Sequence, residues 1–143
     1  MTLTLDQAQA IVAGTLAKAR ALGARPLAVV VLDAGGHPVA FAREDGASLF
    51  RFDIARAKAT GAIGMDTDTA VLADRARDNP VFFQSVNAVV EGKIAFSPGG
   101  LVIRDAHGTA IGAVGSSGDT GPCDAECARA GLVAAGLLEE SKA

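Results

Sequence analysis

Residues 98–127, PGGLVIRDAHGTAIGAVGSSGDTGPCDAEC, decide the fold. Two short apolar runs, Leu101–Ile103 and Ala110–Val114, flank a turn at Asp105–Gly108 and read as a β-hairpin. A glycine- and serine-rich loop follows over 115–121, and a helix opens at Pro122, where the missing N–H costs nothing because first-turn donors are unpaired anyway. Seven glycines lie between Gly99 and Gly121. That density implies tight turns, close packing or a backbone approaching a ligand. A strand, a loop and a helix N-terminus in this order also describe an anion site. A hairpin with a glycine-rich helix entry is the plainer account of the same residues.

The pattern recurs upstream. VVVLDAGGHPVAF (29–41) and LVIRDAHGTAIG (101–112) both run apolar strand, Asp-Ala, Gly/His turn, apolar strand. The spacing predicts a buried strand over 27–33, a turn at Gly35-Gly36 and a second strand over 37–43. Before this hairpin, Thr4 and Gln7 have capping-box spacing. Ala8, Ile11, Val12, Leu16 and Ala19 then recur at helical period, and Gly23 closes the helix. After the hairpin, Ser48 is the expected N-cap of a helix over about 49–63, stopped by Gly64. A short helix over 68–77 is broken by Asn79-Pro80. Residues 81–97 fit a helix or a strand equally, because short apolar runs do not settle by periodicity. The last helix is expected over 122–138, with Cys123, Cys127, Ala130, Gly131 and Ala134 on a small-residue face. Helix, hairpin, helices, hairpin, helix gives a single α+β domain, an antiparallel sheet flanked by helices.

At 143 residues the chain is one domain's worth. Half of it is apolar, but 30 residues are alanine and only six are aromatic, all Phe. A mean hydropathy of +0.32 is high for a domain of this size and points to apolar surface covered by other subunits. The net charge of −3 argues against a broad nucleic-acid-binding face. MTLTLDQAQ has no basic start or apolar core and does not read as a signal peptide. No run approaches the roughly 18 to 20 apolar residues that span a membrane. Two cysteines in such a chain are expected to be reduced thiols in the cytoplasm.

Four blocks in order, LAVVVLDAGGHPVAFAREDGA (27–47), ARAKA (55–59), PGGLVI with AIGAVGSSG (98–118) and DAECARAG (124–131), resemble the GlcG/HbpS family. This is the haem-binding or haem-degrading group that includes the C-terminal domain of PduO-type proteins. The resemblance covers nearly the whole chain and implies one such domain over 1–143. It implies a profilin-like domain with a sheet of about five strands, assembly into homo-oligomers, haem or another tetrapyrrole as ligand, and an accessory role in catabolism.

Several side chains could carry chemistry. His37, in the GGHP turn, is either an axial ligand to haem iron or a solvent-exposed turn residue; His107 in DAHG reads as a surface turn residue. Arg43 offers a planar fork to a carboxylate. Lys58 either snorkels to solvent or points into a pocket as a cation, and Ala55 and Ala62 beside it leave room for a ligand. Together Arg43 and Lys58 would clamp a haem propionate or a small carboxylic acid, with Gly99 and Gly100 where the backbone approaches the ligand. Asp45 and Glu126 are the candidate acid/base residues. The plainer roles are a turn residue for Asp45 and, for Asp124 and Glu126, carboxylates favoured at a helix N-terminus. Cys123 and Cys127 are too few for a zinc site and read as structural. Neither GxxxxGK[ST] nor GxGxxG occurs, which disfavours nucleotide binding. Two functions follow: a haem-binding domain with His37 as ligand, or a cofactor-free lyase or isomerase of small or aromatic acids.

Overall fold

In the computed structural model, residues 2–140 are described. The order is α1 (Leu5–Leu22), β1 (Ala28–Asp33), β2 (Pro38–Arg43), α2 (Arg51–Met65), α3 (Thr69–Asp78), α4 (Pro80–Val89), β3 (Gly100–Arg104), β4 (Ala110–Ser117) and α5 (Gly121–Ala134). The strands form one antiparallel sheet in the order β2-β1-β4-β3, so each hairpin supplies one central and one edge strand.

The sheet divides the core in two. On one face Val29, Val31, Ile103 and Val114 meet Ile11 and Val12 of α1 and Ala128 and Leu132 of α5. On the other face Ala28, Val30, Leu32, Val102 and Ala113 meet Ala55, Ala59 and Ala62 of α2. Alanines on α2 bury little area each, so this layer depends on close approach. Glycine makes that approach available. A Cβ at Gly115 would lie 2.8 Å from the Ala59 nitrogen and would overlap the Ala55 carbonyl. Across the other face Gly14 of α1 lies against α5, where an added Cβ would stand 2.6 Å from the Ala134 Cβ.

The two hairpin turns are built alike. Asp33 Oδ1 accepts from the N–H groups of Gly35 and His37, each at 2.9 Å. Asp105 Oδ1 accepts from His107 at 2.9 Å and Thr109 at 3.0 Å. Gly36 (φ 82°) and Gly108 (φ 81°) take the left-handed position in each. The internal echo in the sequence is therefore one turn design used twice.

Several expected boundaries move. The sheet has four strands rather than about five. With both hairpins assigned, a fifth would come from 81–97, and there Pro80 instead opens α4 as its first residue. Ser48 does not cap α2. The helix starts at Arg51 behind Phe50, with no side-chain cap. Gly64 does not stop it either, because the left-handed residue that ends it is Asp66 (φ 52°). α5 ends at Ala134, not Leu138. Gly136 (φ 73°) turns the chain so that Leu137 N–H reaches the Leu132 carbonyl, closing a Schellman motif. β4 takes in Gly115, Ser116 and Ser117, which pair with Val30, Val29 and Ala28 of β1.

Edge strand β3 is covered. Thr69 and Asp68, at the start of α3, accept from the backbone N–H groups of Gly100 (2.8 Å) and Val102 (2.9 Å). Side chains thus satisfy an edge that would otherwise template another strand. No helix among the described residues is long and apolar enough to cross a membrane.

Candidate functional site

Lys58 stands on the buried face of α2, in a row with Ala55, Ala59 and Ala62. Only 2% of it is exposed. The side chain does not snorkel outward but runs along the sheet to the end of β4. There Nζ donates to the Ser116 carbonyl and to Asp124 Oδ2, both at 3.0 Å. Asp124 sits in the first turn of α5, and its other oxygen accepts from the Asp119 N–H at 2.9 Å. Gly99 (φ 132°) closes the niche: a Cβ there would lie 2.8 Å from Lys58 Nζ and 2.6 Å from the Ser116 oxygen. Gly100 packs onto the Lys58 backbone carbonyl. The two glycines thus approach Lys58 itself. Burial lowers the proton affinity of Lys58 below the ordinary lysine value of 10.5, Asp124 pulls it back up, and the nearby Arg51 lowers it further.

The α5 N-terminus is also filled from within. Thr120 Oγ1 accepts from the Cys123 N–H, and Asp119 accepts from Arg25 and Thr120 N–H groups, both at 2.8 Å. The Cys123 and Asp124 N–H groups are thus met by the Thr120 hydroxyl and carbonyl.

The cation beside Lys58 is therefore Arg51, not Arg43. Arg51, half-buried at the start of α2, donates from Nη1 to Ser117 Oγ at 3.3 Å. Arg43 ends edge strand β2, exposed, and lines a groove of about 420 Å³ with Arg20, Pro26, Glu44 and Asp45. In that groove Glu44 is occupied by Arg20 (3.0 Å) and the Leu27 N–H (2.8 Å). Asp45 is exposed on the turn after β2. Glu126 lies at the opposite edge of the sheet. It faces Lys18 at 3.9 Å and lines a separate 310 Å³ groove with Asp68, Leu101, Arg129 and Leu132. Asp45 and Glu126 are not brought together. Sequence reasoning missed Asp124 as the partner of Lys58, and it set Arg51 on the face of Ala55, Lys58 and Ala62 without naming it as a cation of the site. The signal for Arg51 was present: it lies seven residues before Lys58, two turns along the same helix face.

His37 occupies the last position of the first hairpin turn, with its side chain 80% exposed. Nδ1 lies 3.3 Å from Asp33 Oδ1, and Nε2 has no hydrogen-bond partner among the described residues. The His37 backbone N–H holds the Asp33 carboxyl below its ordinary 3.8, against slight desolvation, with the Gly35 N–H and the imidazole adding to the effect. Two residues further on, Val39, Ala40 and Phe41 of β2 line an apolar groove of about 530 Å³ with Leu5, Val12 and Leu16 of α1. His107 is exposed in the second turn. Cys123 and Cys127 are free thiols. Burial pushes both upward, Cys127 to about 12, so neither is an activated nucleophile. Among the described residues no three His, Cys, Asp or Glu side chains converge as a metal site.

The profile of the family described as "Haem degrading protein HbpS-like" matches residues 3–133. The crystal structure of Streptomyces reticuli HbpS, a double Glu-to-Asp mutant, is 28% identical, with a TM-score of 0.80 over 98% of this chain and 89% of that one. Klebsiella pneumoniae ORFY is 27% identical, with a TM-score of 0.87 over 97% and 94%. PduOC, solved as a haem complex, is 25% identical, with a TM-score of 0.85 over 94% and 95%. No curated protein sequence matches significantly. The profile spans all but the ends of the chain, which belongs to the HbpS-like family.

Proposed function

We propose that this protein binds haem, with His37 as the axial ligand. The observation that carries the reading is the His37–Asp33 pair. Histidines that hold a metal usually present one ring nitrogen to it and the other to a carboxylate or carbonyl, which fixes the tautomer and raises ligand basicity. Asp33 is held ionised by backbone N–H groups and lies 3.3 Å from Nδ1, so Nε2 is the nitrogen left for iron. The donor set therefore fits haem. The groove lined by Leu5, Val12, Leu16, Val39 and Phe41 would cover part of the macrocycle, and Arg43 would answer a propionate. Gly99, Gly100 and Lys58 act here as support for the end of β4. When bound, haem would supply an iron centre for ligand or redox chemistry; His37 would hold and orient it.

His37 is too exposed to enclose a macrocycle in one copy, which supports assembly as a homo-oligomer whose second copy completes the site. The central antiparallel sheet with helices on both faces supports a profilin-like fold, and the two free thiols support the reducing cytoplasm.

Haemin titration of the purified apo-protein, followed by absorbance, tests the reading. A saturable Soret band at fixed stoichiometry, lost in His37→Ala and red- or blue-shifted in Asp33→Asn, is the expected result. Unsaturable absorbance, or a band indifferent to His37→Ala, would refute His37 ligation.

A further inference from the structure

We propose that Arg51, aligned by Ser117 and flanked by Arg43, forms a binding site for the carboxylate of a small organic molecule. The site lies on the α2 face of the sheet. Ser117 of β4 pairs with Ala28 of β1, which pairs with Arg43 of β2. Directly paired residues project from the same face, so Ser117 and Arg43 stand in one row with a single methyl group between them. Two strand spacings separate them, about 10 Å. Arg51 reaches into this row from the first turn of α2 and touches Ser117 Oγ.

Three observations point to an anion. First, Arg51 is half-buried, yet no carboxylate lies within ion-pair distance of it among the described residues. The other half-buried arginine, Arg129, donates to the Glu139 carbonyl at 3.4 Å. Second, Arg51 spends only Nη1, and on a neutral hydroxyl. That leaves Nε and Nη2, the edge that pairs bidentately with a carboxylate. Third, the nearest buried carboxylate is already spent: Asp124 answers Lys58 at 3.0 Å, which leaves Arg51 without a counter-ion among the described residues. Arg43 stands at the rim, in the groove that also holds Glu44 and Asp45. An arriving carboxylate would neutralise a charge that the fold leaves unanswered, in surroundings drier than bulk water, where such a pair is strongest.

The carboxylate could belong to a free acid or to a haem propionate. The chemistry is shared, and the test separates the sources. The inference does not rest on haem binding, because one arm contains no haem. In that arm, thermal unfolding of the whole protein is followed with acetate, glycolate and benzoate, with chloride at equal ionic strength as control. In the other, haemin is compared with haemin dimethyl ester, whose propionates carry no charge. Arg51→Met, Arg51→Lys and Ser117→Ala accompany the wild type.

A saturable rise in Tm with one of the acids, weakened about tenfold or more in Arg51→Met and less in Arg51→Lys, establishes a free-acid site. Haemin binding at least tenfold tighter than its ester, with the gap closed in Arg51→Met, establishes a propionate site. In either case Ser117→Ala weakens binding while leaving the Tm of the unliganded protein within a few degrees, as expected of a positioning residue. If Arg51→Met does not fold, carboxylate-induced shifts of the Arg51 Nε–H resonance in wild-type NMR spectra decide instead. Absence of both effects in the wild type, or their persistence without the guanidinium, overturns the proposal. Failure of His37→Ala to abolish a Soret band would leave the free-acid arm untouched.

Discussion

Lys58 and Asp124 are the residues on which most of the site's geometry hangs. Both are nearly inaccessible, and their 3.0 Å pair ties α2 to the first turn of α5. Desolvating two ions costs several kcal/mol each, and their attraction offsets this only while both are present. Lys58→Met should therefore destabilise the protein by about 3–5 kcal/mol, because it strands a buried carboxylate. Lys58→Met with Asp124→Leu should recover most of that loss, as apolar replacements of similar volume often do. Urea unfolding of the single and double variants makes the comparison, and a double variant as unstable as the single one would sink this account. The pair has a pH signature too. Lys58 binds its proton less tightly in the fold than in the unfolded chain, chiefly through burial. Unfolding then takes up a proton at pH values between the folded value and 10.5, so stability rises with pH across that window. The wild type should gain stability relative to the double variant there. Of this site, a lysine set among alanines was legible in the sequence, as was the shared face of Arg51. Asp124 was not, because its partner lies 66 positions away and the contact exists only once two elements have docked.

Among the elements, α2 is the one whose placement depends on glycine rather than on large side chains. Gly64 and Gly115 make a matched pair of probes. Gly64 sits inside α2 with nothing within 4 Å of an added methyl group, so Gly64→Ala should stabilise the protein by about 0.5–1 kcal/mol through helix propensity. Gly115 sits under α2, where the same methyl group meets helix backbone that cannot swing aside. Gly115→Ala should cost about 1–3 kcal/mol or more, the range for overpacking a well-filled core. Thermal melts of both variants give the answer; a neutral Gly115→Ala would mean that α2 is free to lift from the sheet. The same contrast explains what sequence reading could recover. Both hairpins were legible because an Asp-x-x-Gly turn is local chemistry, complete within five residues. The ends of α2 were not. A glycine at 64 is an ordinary stop signal, yet here the helix passes through it and Asp66 takes the left-handed turn. The end of β4 was hidden for a related reason: Gly115–Ser117 has loop composition, but its pairing with β1 and its closeness to α2 hold it as strand.

At the scale of the whole molecule, the apolar excess read from composition has a definite location. On α4, Val81 is 75% exposed, Phe82 53% and Val89 81%. At 100° per residue these three fall within about 100° of arc, a continuous stripe of the kind that faces a core. Phe83 holds α4 from behind through ring contacts with Phe82 and Phe96, at 5.2 and 5.5 Å. Apart from the Phe82–Phe83 ring contact, the stripe lies open to solvent. Leu49 (70%) and Phe50 (66%) add a second exposed apolar site before α2. Water is a poor neighbour for such surface, at roughly 25 cal/mol for each Å² of apolar area, and a second copy of the chain would bring the same stripe to cover it. A two-fold contact would be self-complementary by construction. Sedimentation velocity at micromolar concentration should thus find the wild type associated. Phe82→Glu with Val89→Glu should shift it toward monomer, while far-UV circular dichroism stays unchanged because both side chains are mostly exposed in the monomer. The exposure of His37 lets one variant test both proposals. If a second copy completes the haem site, the monomeric variant should also lose haemin affinity, although its substitutions lie on α4 and leave the His37 hairpin intact. A monomeric wild type, or a dissociated variant that binds haemin as well as the wild type, would confine the site to one copy and leave the α4 stripe without a role in binding.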